Sequence, residues 1–252
     1  MQPSVDSFLE YRPDFRDVGK QSIAASLVPR ESEKHLQRAG RKQKMGWYEL
    51  LFSRMIANKE DFAQNQLRIV TFNYDRSLEH TLFLALRSSY GIPDKEAAEG
   101  VGSIGIVHLY GQLDDLPYLL PADDKSKGRW YDPTLTPEIS KACAARIKIL
   151  HEGEASSSEF ERARGYIHWA STICFVGFGY DRINLRRLNI GGSDLRKRLF
   201  GTAMGIGEGR RPVIEGYFED RIKLGDQTED ALEFLTKERV FVEPKPRADS
   251  GG

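Results

Sequence analysis

Twice along this chain a short apolar run, rich in β-branched and aromatic residues, ends in Phe-x-Tyr-Asp-Arg and passes at once into a helical pattern. The two copies are IVTFNYDRSL at 69–78 and FVGFGYDRINL at 175–185. Each reads as strand, tight turn, helix. IGIVHLYGQL and RLFGTAMGI add two candidate strands. Helical spacing of apolar residues recurs in DFRDVGKQSIAASLV, WYELLFSRMIAN, RSLEHTLFLALRSSY, PEISKACAARIKIL, SEFERARGYIHWAS and TEDALEFLTKE. Residues 91–103, GIPDKEAAEGVGS, read as a polar glycine-rich loop, and the last forty alternate helical stretches with a short VFVEP before a frayed tail. Strands alternating with helices predict an α/β fold with a mostly parallel sheet. In such sheets ligands sit beyond the carboxyl ends of strands. The two turns and the end of IVHLYG are therefore where a site is expected.

Composition narrows the function classes. The 252 residues carry 37 Lys+Arg against 37 Asp+Glu, a formal charge of zero. A dedicated binder of nucleic acid or of an anionic membrane ordinarily shows a domain-wide basic excess, so neither partner is expected. The exception is residues 182–211, where eight basic residues face only Asp194 and Glu208. A solvated helix and loop is the ordinary reading of such a run. Two cysteines, Cys143 and Cys174, are too few for a disulfide framework or a four-cysteine zinc module. No window approaches the roughly 18 apolar residues of a membrane span, and the first residues lack the pattern of a secretory leader. A cytoplasmic protein is expected.

The chain contains a literal G-x-G-x-x-G at Gly100, Gly102 and Gly105. That fingerprint binds pyrophosphate where a strand delivers the glycines to a helix N-terminus, whereas these glycines precede a strand, so the match is a decoy. P-loop, G-x-S-x-G, H-E-x-x-H and EF-hand patterns are absent. Of the five histidines, His80 and His168 fall in helical patterns, His151 starts an acidic turn and His35 sits in a basic segment. His108 differs, because it interrupts an apolar strand near its carboxyl end. A satisfied core histidine is the ordinary reading there. Asn73, at the end of another strand, must find partners in turn backbone or in a ligand. Asp75 and Asp181 suit helix N-caps, accepting bonds from free backbone N–H groups.

Taken in order, Thr71-Phe72-Asn73-Tyr74-Asp75 with Leu78-Glu79, then His108-Leu109-Tyr110-Gly111, then Phe175-Val176-Gly177-Phe178-Gly179 with Asp181 and Asn184, resemble the successive blocks of sirtuin-like NAD-consuming domains of bacterial antiviral defence proteins. SVDSFLEYRPDF…GKQSIAASL resembles the stretch these proteins carry between their first two core strands. The resemblance spans about residues 4 to 205. It implies a doubly wound, Rossmann-like sheet with inserted helices. It implies NAD as substrate, Asn73 and His108 as the catalytic pair, and Thr71, Asp75, Gly111, Gly177, Gly179, Asp181 and Asn184 as NAD-binding positions. The pair suits cleavage of the nicotinamide–ribose bond. A neutral histidine, with an ordinary pKa of about 6.5, can accept a proton from a ribose hydroxyl or the attacking water, while the asparagine amide fixes both. Nicotinamide leaves without a metal, and none is expected.

Two departures qualify what the resemblance implies. Deacetylating sirtuins carry a four-cysteine zinc module, so NAD hydrolysis is expected rather than deacetylation. The family's first strand and its G-A-G-x-S turn, which cradle the pyrophosphate, are missing and belong before residue 1. A chain starting internally, a partner protein supplying the element, or an inactive copy would each account for that. The expected organisation is a sirtuin-like domain over 1–210 and a helical extension over 211–252. The alternative function is a catalytically inactive module that binds NAD or ADP-ribose, or contacts a partner protein or a second copy of itself.

Overall fold

The computed structural model describes residues 8–9, 11–34, 36, 46–55, 61–149, 157–191 and 197–241. His35, His151, Gly153, the basic run at 38–44 and the terminal PKPRADSGG lie outside them, as do Asp194 and Arg196 of the basic segment. The fold is mixed α/β, with two short parallel sheets and many helices, and it divides into two compact units, Met1–Tyr166 and Ile167–Gly252.

The first unit opens with α1 (Arg16–Leu27) and α2 (Trp47–Ser53) and then forms β1 (Ile69–Thr71). Helices α3 (Ser77–Tyr90) and α4 (Asp94–Ile104) carry the chain to β2 (Ile106–His108), which pairs with β1 in parallel. The register sets Ile69 opposite Ile106, Val70 opposite Val107 and Thr71 opposite His108. In α3 the residues Leu78, Leu82, Phe83 and Leu86 form the buried stripe that the sequence spacing predicts. Gly91 ends the helix at φ 60°, a left-handed cap that glycine adopts without strain.

Residues 91–103 depart from expectation, because most of them form α4 rather than a loop. Lys-Glu-Ala-Ala-Glu is a run of strong helix formers, and Ala97, Val101 and Ile104 supply a buried stripe at helical spacing. Gly100 belongs to the packing of this helix on α3: a Cβ there would lie 2.9 Å from Leu86 Cδ1. The G-x-G-x-x-G run is thus mostly helical, with Gly105 closing the helix at φ 71°.

Helix α5 (Pro137–Arg146) begins on Thr136, whose hydroxyl accepts the Ile139 N–H at 3.2 Å. It stops earlier than PEISKACAARIKIL suggests. Ile147 and Ile149 are both buried on either side of Lys148, a period of two, and the Lys148 N–H binds the Tyr110 carbonyl at 2.8 Å. Ala24 and Val28 pack with Leu113, Cys143 and Ile147 to join α1 to α5. Helix α6 (Ser158–Trp169) follows, and the division between the units falls within it.

In the second unit β3 (Thr172–Phe175), β4 (Arg198–Gly201) and β5 (Ile222–Leu224) form a parallel sheet in that order. Helix α7 (Arg182–Arg187) follows β3, α8 (Arg211–Tyr217) joins β4 to β5, and α9 (Ala231–Lys237) follows β5. Strand β5 is not legible in the sequence because it is three residues long and centred on an exposed lysine, Lys223. Residues 211–241 are consequently not purely helical, and Leu199↔Ile222 pairing makes β5 part of this sheet.

One buried ionic group fixes the first unit. Arg76, 1% exposed, binds Glu31 through both Nε (2.9 Å) and Nη2 (2.6 Å). Its Nη1 donates to the carbonyls of Arg129 (2.7 Å) and Asp115 (3.2 Å), and Arg129 itself pairs with the same Glu31 carboxylate. Removing one member strands a buried charge. Arg76→Leu is expected to cost about 3–5 kcal/mol, read as a lowered urea midpoint. A loss under about 1 kcal/mol would show that the pair carries no more than a surface ion pair.

Candidate functional site

Parallel pairing places Thr71 and His108 side by side as the last residues of β1 and β2. The chain leaving β1 turns over itself: the Thr71 hydroxyl accepts the Asn73 N–H at 3.0 Å, and Asp75 Oδ1 accepts the Ser77 N–H at 3.1 Å at the start of α3. The N-cap position of α3 is Arg76, with no side-chain cap, so Asp75 is not the helix N-cap the sequence suggests but forms a two-residue side-chain turn just ahead of it. His108 Nδ1 lies 2.7 Å from the Asn73 carbonyl, and His108 Nε2 lies 2.6 Å from Glu79 Oε1. A carbonyl only accepts, so Nδ1 carries a hydrogen. Both ring nitrogens are then committed, one to a carbonyl and one to a carboxylate.

The electrostatics follow from this geometry. Burial opposes a charged imidazole, but the Glu79 hydrogen bond and charge, the Asn73 carbonyl and the charge of Asp75 outweigh it, so the His108 pKa is raised. The raised value favours the protonated ring, and both ring nitrogens of His108 already have hydrogen-bond partners. In the sequence Glu79 is legible only as part of the Leu78-Glu79 pair. It lies on the buried side of α3, where a carboxylate is uncommon. That placement is the signal that could have singled it out. Its side chain is 9% exposed, and Oε2 is buried with no hydrogen-bond partner.

Glu79 and His108 form part of the wall of an open cleft of about 230 Å³, together with Val101, Ile106, Leu116 and Leu120. Exposed Arg162 and half-buried Gln112 add polar groups to its lining. Tyr48, from α2, is a further residue that sequence reasoning missed. Burial and the charges of Asp75 and Glu79 raise its pKa, so its phenol stays protonated beside the two carboxylates. Asn73 enters through its main chain, and the residue is exposed. Gly111, at φ 80°, has a structural reason to be glycine: a Cβ there would collide with the Arg146 carbonyl.

The remaining expected positions belong to the second unit. Asp181 caps α7, accepting the N–H groups of Ile183 (2.9 Å) and Asn184 (3.1 Å). Gly177, at φ 62°, donates its N–H to the Thr202 hydroxyl at 2.8 Å, and the Gly179 carbonyl accepts from Arg210 at 2.9 Å. Both glycines are exposed, with open space where a Cβ would stand. A second cleft, about 320 Å³, lies in this unit between Tyr180, Asp181 and Arg182 on one side and Arg210, Val213 and Tyr217 on the other. Among the described residues, no group of three His, Cys, Asp or Glu side chains is placed to hold a metal ion, and no helix is long and apolar enough to cross a membrane.

Comparison with protein-family models, curated proteins and solved structures returns no match.

The raised His108 pKa has a defined consequence for stability. A histidine whose folded value exceeds its unfolded value, about 6.5, stabilises the fold fully below that value and loses the contribution as pH rises through the folded one. The stability advantage of wild type over His108→Gln is expected to be largest at about pH 6 and to shrink with rising pH. Urea midpoints over a pH series measure it, and an advantage that grows with pH would contradict the assignment.

Proposed function

We propose that this chain is a NAD glycohydrolase domain of a prokaryotic anti-phage defence system, cleaving the nicotinamide–ribose bond to give nicotinamide and ADP-ribose. The observation that carries the reading is the His108–Glu79 pair, joined to Asn73, at the carboxyl ends of two adjacent parallel strands. That is where α/β sheets bind nucleotides. The order of sequence blocks that resemble sirtuin-like domains supports it, as does the parallel pairing expected of a doubly wound sheet.

Breaking an N-glycosidic bond builds positive charge on the sugar while the neutral pyridine leaves. A buried carboxylate near that carbon stabilises the charge most where water is excluded. Asn73 and His108 position ribose and water in this reading, with Thr71 and Asp75 fixing the turn beneath them. Gly177, Gly179, Asp181 and Asn184, which the resemblance assigns to NAD, belong to the second unit and enter no step of this reading. The cleft beside Glu79, about 230 Å³, is below the ~300–1,000 Å³ usual for a drug-sized ligand. It suits one end of a dinucleotide.

The second reading, a module that binds ADP-ribose without turning NAD over, draws on the same small cleft. Incubation with NAD separates the two. Nicotinamide release by the wild type, reduced on the order of 10²–10⁴-fold in His108→Ala and measurably in Asn73→Ala, is the expected outcome. Tight ADP-ribose binding by calorimetry with no release would favour the binding module, and neither binding nor release would end both readings.

A further inference from the structure

We propose that Glu79, rather than His108, is the residue that takes the proton from the attacking water, and that His108 is its positioning partner. The inference rests on the NAD reading and assigns the chemistry within it. Three features of the site converge. Both ring nitrogens of His108 are occupied, Nδ1 donating to the Asn73 carbonyl and Nε2 lying 2.6 Å from Glu79 Oε1. Glu79 Oε2 is the oxygen left over, buried and without a partner in a side chain that is 9% exposed. Glu79 lines the cleft. A buried acceptor left unsatisfied is unfavourable, and a donor from a ligand or water relieves it.

The proton balance closes without a metal or an oxidant. As the water oxygen bonds to the anomeric carbon, its proton passes to Glu79 Oε2, and the electron pair of the carbon–nitrogen bond returns to the pyridinium ring. Nicotinamide leaves neutral, and the proton is then released to solvent. Throughout, the His108 ring holds Oε1 and keeps the carboxylate from rotating away. The mutual geometry is that of an acid–base group oriented by a third residue.

The full chain carrying Glu79→Gln or Glu79→Ala is assayed for nicotinamide release, with and without added formate. Glu79→Gln keeps the shape and the bond to His108 but cannot take the proton, so kcat is expected to fall on the order of 10²–10⁴-fold with KM changed only about threefold. Formate, a small carboxylate able to enter the space left by Glu79→Ala, is expected to restore kcat by about tenfold or more, and to do nothing for His108→Ala. Turnover of Glu79→Gln within about threefold of wild type overturns the proposal, as does a loss confined to KM. A folded Glu79→Ala that formate does not rescue also overturns it. A wild type that releases no nicotinamide overturns the NAD reading and this assignment with it, an outcome distinct from an active wild type with an active Glu79→Gln.

Discussion

The first unit is organised around one buried cation. Arg76 sits at the turn that starts α3 and gathers a carboxylate from residue 31 and carbonyls from residues 115 and 129, segments far apart in the chain. A guanidinium taken out of water must have its donors satisfied, and its planar fork dictates where the acceptors stand. Fixing Arg76 also fixes the first turn of α3, and with it Glu79 three residues on. The position of the candidate catalytic carboxylate is thus inherited from an ion pair with no part in the chemistry.

Glu79 and His108 illustrate how a pair acquires a property neither residue has alone. Burial by itself would favour a neutral imidazole, yet two acceptors at hydrogen-bond distance and a neighbouring Asp75 reverse the sign. The same arrangement uses up the histidine. What remains without a partner is the second oxygen of Glu79.

Much of this was legible in the sequence, and the failures have physical causes. The repeated Phe-x-Tyr-Asp-Arg turn predicts two strand-to-helix junctions and the capping role of Asp181, because those depend on local backbone demands, whereas Asp75 falls one residue short of the cap of α3. It did not distinguish the arginines: Arg76 is buried and Arg182 is exposed, a difference set by segments remote in sequence. The polar, glycine-containing stretch at 91–103 reads as a loop because its helical stripe has only three apolar members, and α3 supplies the surface that makes three sufficient. His108 was found through its interruption of an apolar strand. Glu79 was passed over because a glutamate in a helical pattern is ordinarily solvated, and nothing in one sequence reveals that this helix turns it toward a histidine 29 residues away.

The parallel pairing of β1 with β2 has a consequence for the order in which the molecule assembles. Three-residue strands offer few ladder bonds, and Ile69 cannot meet Ile106 until the chain between them has doubled back through α3 and α4. Loop-closure entropy is therefore spent before the strands return anything, which makes the helical pair the natural early structure and the strand pair a late one. Thr71 and His108 face each other only at that last step. The corner at the strand ends comes into being when folding finishes, so partly folded chains carry its residues without its geometry.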